Sequence, residues 1–125
     1  MNDPLTEKII AAAFKVHNTL GFGFYERVYE RALMIELRKA GIIANSQVKL
    51  TVYYEDEIVG AFRADIIVDN KLLIELKATY EITPKDEVQT VNYLKATKYE
   101  VGLLINFGGS VQVKRKYRDY RPRQD

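Results

Sequence analysis

The sequence predicts one domain of the α/β (α+β) class, in which a mixed β-sheet of about five strands is flanked by helices. Three observations support this class. The chain has 125 residues, a usual length for one domain. Apolar residues recur at helical spacing in three segments, and they alternate or run continuously in five others. These segments follow one another in the order ααβββαββ.

The predicted helices have recognisable ends. Asp3-Pro4 provides an N-cap and a first helical residue, and Gly21 is a suitable stop for the same helix. Thr83-Pro84 repeats the starting pattern, and Asp86 adds the acidic residue of a capping box. The predicted helices span about residues 4–20, 25–40 and 84–97.

Five segments carry strand patterns. The first alternates apolar and polar residues, which is typical of a strand with one exposed face. Asp69-Asn70 has turn chemistry between the second and third strands, and Gly108-Gly109 separates the last two. The fourth segment is apolar on both faces, so we expect it to be buried within the sheet. The predicted strands span residues 48–54, 58–68, 71–78, 100–107 and 110–117.

Missing residue types exclude several classes of chemistry. The chain has no cysteine, which excludes disulfides, thiolate zinc sites, iron–sulfur clusters and a cysteine nucleophile. Its one histidine, His17, cannot supply a zinc site with two histidines, and its place near a helix end favours a structural role. Side chains would therefore hold a metal mostly through carboxylates, which favours Mg²⁺, Mn²⁺ or Ca²⁺.

The charge is unevenly distributed along the chain. The net charge is +2, but residues 111–125 carry a net +4, so the remainder is acidic. We divide the chain into a domain over residues 1–117 and a basic tail over residues 118–125, which either contacts phosphate or serves as a solubilising end. The N-terminus has no signal-peptide pattern, and no apolar run is long enough for a membrane span. We therefore expect a cytoplasmic protein with no membrane partner.

Two charged residues interrupt the apolar third strand. Glu75 and Lys77 are two positions apart and therefore project from the same face. Asp65 in the second strand can reach that face only with the right loop length. A two-residue loop puts Asp65 and Glu75 on opposite faces, whereas a three-residue loop over residues 69–71 places them directly across from each other. We predict the odd-length loop or an equivalent bulge.

This juxtaposition would create a cation site. Two carboxylates that face each other across a strand pair repel unless a cation lies between them. Mg²⁺ or Mn²⁺ suits such a pair, with water completing the shell. Lys77 beside the pair can orient that water or stabilise charge in a transition state. Asp65, Glu75 and Lys77 would thus form the minimal apparatus for hydrolysing a phosphodiester.

The pattern resembles the core of the PD-(D/E)XK nuclease superfamily. Asp65 is followed, after nine residues, by Glu75-Leu76-Lys77 on a predicted hairpin. The stretch Gly-Phe-Tyr-Glu-Arg-Val-Tyr at residues 23–29 is similar to the signature of the small bacterial GxxExxY proteins. Gln89 and Tyr93 resemble the Q-x-x-x-Y motif of exonuclease-like members. The resemblance covers about residues 8–116.

The resemblance implies a restriction-endonuclease-like core and a metal centre. Asp65 and Glu75 would bind Mg²⁺ or Mn²⁺, and Glu26 would add a third carboxylate at the metal or in its water shell. Lys77 would position the attacking water. No other cofactor is implied.

The resemblance also implies supporting residues. Gln89 would contact Lys77, the substrate or the nucleophile, and Tyr93 would support it from one helical turn away. Arg63 would share a strand face with the nearby aspartate and would pair with it or with phosphate. Tyr29 would pack in the core, with its hydroxyl available to an active-site carboxylate.

Some of these residues have structural alternatives. Glu26 would also suit a helix N-terminus, where the helix dipole stabilises a carboxylate. Glu75 and Lys77 could form an ion pair on an exposed strand face, and Gln89 could cap a strand edge. The residues alone leave these alternatives open.

We therefore expect a Mg²⁺-dependent nuclease, with DNA favoured over RNA as the partner. One rival is a non-catalytic module on the same fold that binds nucleic acid or protein. Another is a glycosidase that uses Asp65 and Glu75, although Lys77 and Gln89 would then have no clear role. Cleavage of both strands of a duplex would suggest a homodimer.

Overall fold

The computed structural model describes residues 3–118. Within that range the elements follow the predicted order and differ from the predicted bounds by a few residues. They are α1 (Pro4–Leu20), α2 (Glu26–Lys39), β1 (Ala44–Tyr54), β2 (Glu57–Val68), β3 (Leu72–Lys77), α3 (Pro84–Lys95), β4 (Val101–Phe107) and β5 (Val111–Tyr117).

The strands form one mixed sheet in the order β1-β2-β3-β4-β5. Neighbours are antiparallel except β3 and β4, which are parallel because α3 carries the chain back across the sheet. Residues 102–107 of β4 are all buried, which confirms the expectation of a buried strand. The predicted α+β fold, a five-stranded mixed sheet flanked by helices, is confirmed.

The predicted helix starts are also observed. Asp3 accepts a hydrogen bond from the Thr6 backbone N–H at 2.9 Å and caps α1. Thr83 and Asp86 form the reciprocal capping box at the start of α3. The start of α2 has no side-chain cap.

Helices cover both faces of the sheet and create two cores. The larger core lies between the sheet and α1 and α2, and its fully buried members include Tyr29, Leu33 and Phe107. The smaller core lies under α3, where Leu94 packs with Leu73 and with other side chains of the opposite face. No helix within residues 3–118 combines the length and the apolar content that a membrane crossing requires.

The hairpin of β1 and β2 extends past the rest of the sheet. The β2–β3 pairing covers only residues 66–68 of β2, so β1 and β2 continue together over residues 48–64 as a two-stranded segment, here called the ribbon. The ring of Phe62 stacks on Tyr93 of α3 with 3.8 Å between centroids. This contact fastens the base of the ribbon to α3.

The C-terminal end of the described chain remains attached to the sheet. The backbone N–H of Arg118 donates to the Glu100 carbonyl at 2.9 Å. The rest of the predicted basic tail, residues 119–125, lies outside the described residues.

Candidate active site

The loop between β2 and β3 sets the register that the site requires. Asp69 and Asn70 both have positive φ, +53° and +54°, a conformation that these two residue types adopt more readily than most. The Lys71 backbone N–H donates to the Val68 carbonyl at 2.9 Å, and Val68 then pairs with Leu72. The predicted three-residue loop over residues 69–71 is therefore confirmed.

Asp65 and Glu75 lie where the β2–β3 pairing ends. The last backbone pair joins Ile66 to Ile74, and beyond it the carboxylates bind the opposite strand. Asp65 Oδ2 accepts the Leu76 backbone N–H at 2.7 Å, and Glu75 Oε1 accepts the Asp65 backbone N–H at 3.3 Å. The two side chains thus bond across the strand pair where the backbone pairing has ended.

β1 and β2 are both kinked at the point where the β2–β3 pairing ends. Gln47 in β1 has a φ of +52°, and the β1–β2 pairing omits Gln47 and Asp65. On the C-terminal side of the kink in β2, Ile66 packs in the core under α1 and α2. On its N-terminal side, Ala64 packs in the core under α3, although simple alternation would keep both residues on one face. Both strands therefore exchange faces at the position of Asp65.

The pairing of Arg63 with Asp65 that was expected as one alternative is not observed. Arg63 Nη1 donates to the Gln47 carbonyl at 3.3 Å. No salt bridge between Arg63 and Asp65 occurs within residues 3–118. Asp65 Oδ1 instead faces the side chain of Gln47, whose Nε2 lies 3.4 Å away.

The electrostatics of the pair favour protons or cations. Burial, assisted by the nearby charge of Asp65, raises the pKa of Glu75 to about 8, while the Asp65 backbone N–H and Lys77 oppose the shift. Burial also raises the pKa of Asp65, against hydrogen bonds from Leu76 and Gln47. An added positive charge would relieve the desolvation and repulsion that both carboxylates experience.

Helix α2 adds two further carboxylates. Glu26 is the first residue of α2, and burial of its carboxyl together with repulsion from Asp65 raises its pKa. Glu30 lies one turn further and is only 5% exposed, and its Oε1 accepts Gln47 Nε2 at 2.6 Å. Burial raises the pKa of Glu30 as well. Gln47 therefore connects Glu30 of α2 to Asp65.

Sequence reasoning missed Glu30, but a signal was present. Glu26, Glu30, Leu33 and Leu37 occupy one stripe of α2, and the last three are buried. A glutamate on the core-facing stripe of a helix is costly unless it has a partner. That position therefore marked Glu30 as a candidate.

Lys77 is positioned by the start of α3. Its Nζ lies 3.7 Å from Asp86 Oδ1, while Asp86 Oδ2 accepts the Thr83 backbone N–H at 3.0 Å. Asp86 is thus both the capping residue of α3 and the partner of Lys77. The alternative of an exposed Glu75–Lys77 ion pair is not observed, since Glu75 is largely buried and the recorded ion pair of Lys77 is with Asp86.

Gln89 and Tyr93 lie at the margin of the site. Gln89 Nε2 donates to the Tyr93 hydroxyl at 2.9 Å, which confirms their predicted proximity. The expected contact between Gln89 and Lys77 does not occur within residues 3–118. Burial and the charge of Glu75 raise the pKa of Tyr93, so its hydroxyl is within electrostatic reach of the carboxylates.

Tyr29 holds the connector in front of α2. Its hydroxyl donates to the Gly21 carbonyl at 2.5 Å and accepts the Phe24 backbone N–H at 3.3 Å. Its ring is fully buried and stacks on Phe107. The hydroxyl therefore holds the chain segment that precedes Glu26. The expectation that it bonds an active-site carboxylate is wrong.

The donors present fit a hard divalent cation without forming a complete cage. Within residues 3–118 no three carboxylate or imidazole side chains are gathered as a metal cluster, so Glu26, Asp65 and Glu75 do not form the expected three-ligand set. Asp65 and Glu75 nevertheless offer only oxygen donors, and a bound cation would offset the burial and repulsion that raise the pKa of both carboxyls. Two carboxylates supplemented by water are the kind of ligand set that Mg²⁺ accepts.

Comparisons with known proteins agree with this architecture. A family model described as the PD-(D/E)XK nuclease superfamily matches residues 3–118. A solved structure titled "Crystal structure of SSO0001" superposes with a TM-score of 0.58 at 18% sequence identity, over 77% of this chain. The matching region is 52% of that protein, so this chain spans about half of its length. The comparison with curated proteins found no match.

Proposed function

The chain belongs to the PD-(D/E)XK nuclease superfamily, and from this premise we propose that it is a Mg²⁺- or Mn²⁺-dependent nuclease. Its substrate would be nucleic acid, with DNA favoured over RNA. The Asp65–Glu75 pair carries the proposal, because the β2–β3 pairing ends at these two residues and each half-buried carboxylate bonds a backbone N–H of the opposite strand. The motif at residues 23–29 supports placing the chain among the small bacterial GxxExxY proteins.

Asp65 and Glu75 would hold the metal. Each carboxylate also accepts a hydrogen bond from the backbone of the opposite strand, which holds the side chain in place. Metal binding therefore requires little reorganisation. When bound, the ion would activate water and offset the negative charge that develops at phosphorus. Glu26 would contribute through the surrounding water.

Lys77 would stabilise charge on the reacting phosphate. Asp86 restrains the ammonium group from the α3 side, which limits the positions it can take. An ammonium at that place can orient a water molecule or bind a phosphate oxygen. Tyr93, held by Gln89 and stacked on Phe62, would line the substrate side of the site.

Cleavage assays test this proposal. Purified protein is incubated with single- and double-stranded DNA and with RNA, in Mg²⁺, Mn²⁺ or EDTA. We expect metal-dependent cleavage that falls at least 100-fold in Asp65→Asn, Glu75→Gln and Lys77→Met. Asp69→Asn is the matched control, because it removes an exposed carboxylate at a turn where asparagine is also suitable.

Two outcomes would overturn the proposal. Cleavage that persists in all three site variants identifies a contaminant. Tight binding of nucleic acid with no cleavage in either metal supports the non-catalytic alternative. If duplex DNA is cut on both strands, we expect a homodimer, which light scattering of the protein–DNA complex would detect.

A further inference from the structure

A groove lies between α2 and the edge strand β1, beside the carboxylates. Its volume is about 570 Å³, which falls within the range of ligand-binding clefts. Its lining includes the apolar residues Met34, Ile35, Ile42 and Ile43. Ile43 is 71% exposed and Ile35 is 43% exposed, so the apolar surface is open to solvent. An open apolar surface inside a cleft favours an occupant that covers it.

Three arginines of α2 also line this groove. Arg27, Arg31 and Arg38 are four and seven residues apart, so they follow one side of the helix over roughly 16 Å. Arg27 Nε lies 3.9 Å from Glu30 Oε2. In the part of the chain that the structure describes, Arg31 and Arg38 form no salt bridge. Their charges are therefore available to an anionic occupant.

The groove leads directly to the candidate active site. Glu30 and Gln47 belong to its lining, and Gln47 Nε2 bonds both Glu30 and Asp65. A single amide group thus separates the groove from the carboxylate pair. An extended polyanion in the groove would pass beside Asp65.

We propose that this groove binds a single strand of nucleic acid, with phosphates on the arginine row and bases over the apolar floor. A single strand fits better than a duplex, because its bases expose apolar faces whereas a duplex presents mainly phosphates. The DNA and RNA backbones offer the same phosphate chemistry to arginine. This proposal extends the proposed nuclease function. It rests on that function for the direction in which the nucleic-acid strand runs along the groove.

Fluorescence anisotropy in EDTA tests the binding without cleavage. The probes are labelled oligothymidylate, labelled oligouridylate and a labelled DNA duplex. We expect Arg31→Ala/Arg38→Ala to bind the single strands at least tenfold more weakly. The plot of log affinity against log salt concentration should also become shallower, with the magnitude of its slope smaller by about 1.4, because two phosphate contacts are lost.

Two further variants separate charge from apolar contact. Lys8→Ala/Lys95→Ala removes the same net charge from exposed positions on α1 and α3, and its affinity should change less than twofold. Ile43→Ser should weaken binding of single strands and leave the salt slope unchanged, since no charge is lost. The relative affinities for oligothymidylate and oligouridylate identify whether DNA or RNA is preferred.

Several results would overturn the groove assignment. These are unchanged affinity in the arginine variant, an equal loss in the lysine control, and tighter arginine-dependent binding of the duplex than of either single strand. Failure of the groove and failure of the nuclease function remain distinguishable. Cleavage unaffected by Arg31→Ala/Arg38→Ala refutes the groove alone, whereas the expected binding without cleavage in Mn²⁺ refutes the nuclease alone.

Discussion

Replacing Glu75 by glutamine should stabilise the metal-free protein in a pH-dependent way. Burial, assisted by the charge of Asp65, raises the pKa of Glu75 from 4.5 to about 8. Between these pH values the folded protein binds more protons than the unfolded chain, so the free energy of unfolding decreases as pH rises. Each unit of pKa shift corresponds to about 1.4 kcal/mol, which amounts to roughly 5 kcal/mol over the full interval.

The glutamine variant removes this titration while preserving the local contact. Its Oε1 can still accept the Asp65 backbone N–H that Glu75 accepts at 3.3 Å. Near pH 5, where Glu75 is protonated in the folded state, the two proteins should have similar stability. At pH 8 and above, the variant should be more stable by several kcal/mol, up to roughly 5.

Urea denaturation in EDTA at a series of pH values between 5 and 9 measures this difference. Titrating groups distant from Glu75 are common to both proteins and cancel in the comparison, whereas the coupled groups Asp65, Glu26 and Tyr93 contribute to the measured difference. Glu57→Gln, at an exposed position of the ribbon, removes the same charge without the burial and serves as the control. A Glu75→Gln difference below about 1 kcal/mol at pH 8.5 would refute the argument that desolvation governs this carboxyl.

Three other predictions address the metal, the connector and the lysine. Mn²⁺ at 100 times its dissociation constant should stabilise the protein by about 2.7 kcal/mol in thermal unfolding, and Asp65→Asn should lose this effect. Tyr29→Phe should lower the urea-derived stability by about 1–3 kcal/mol, because two backbone groups of the connector lose their buried partner. Asp86→Ala and Thr83→Ala should each cost about 1 kcal/mol of helix capping. Only Asp86→Ala should also lower kcat, because it alone removes the partner of Lys77, and equal kcat values in the two variants would contradict this assignment.

The sequence predicted features that depend on local chemistry. The Asp69-Asn70 turn was visible in the sequence but allowed two registers. The three-residue loop was predicted because it alone places Asp65 across from Glu75, and the structure has that register. The capped helix starts were directly visible, because capping involves residues within three positions of one another and needs no knowledge of distant contacts.

The kink at Gln47 could not be predicted in the same way. Glutamine is not a residue type that favours positive φ, and its conformation is imposed by partners on α2 and β2. The pairing of Arg63 with Asp65 was expected from unbroken alternation past that point, which the kink removes. The contact of Gln89 with Lys77 could not be judged from helical spacing, which specifies a face and a neighbour but not whether a side chain reaches another element.

The kink also has a mechanical consequence. The ribbon leaves the main sheet at the point where Asp65 lies, whereas Glu75 belongs to β3 inside the main sheet. A two-stranded segment has little stiffness of its own, so its orientation depends on the Phe62–Tyr93 stacking against α3. Any swing of the ribbon is therefore a displacement of one carboxylate relative to the other. The separation of the two candidate metal ligands therefore depends on how firmly the ribbon is held against α3.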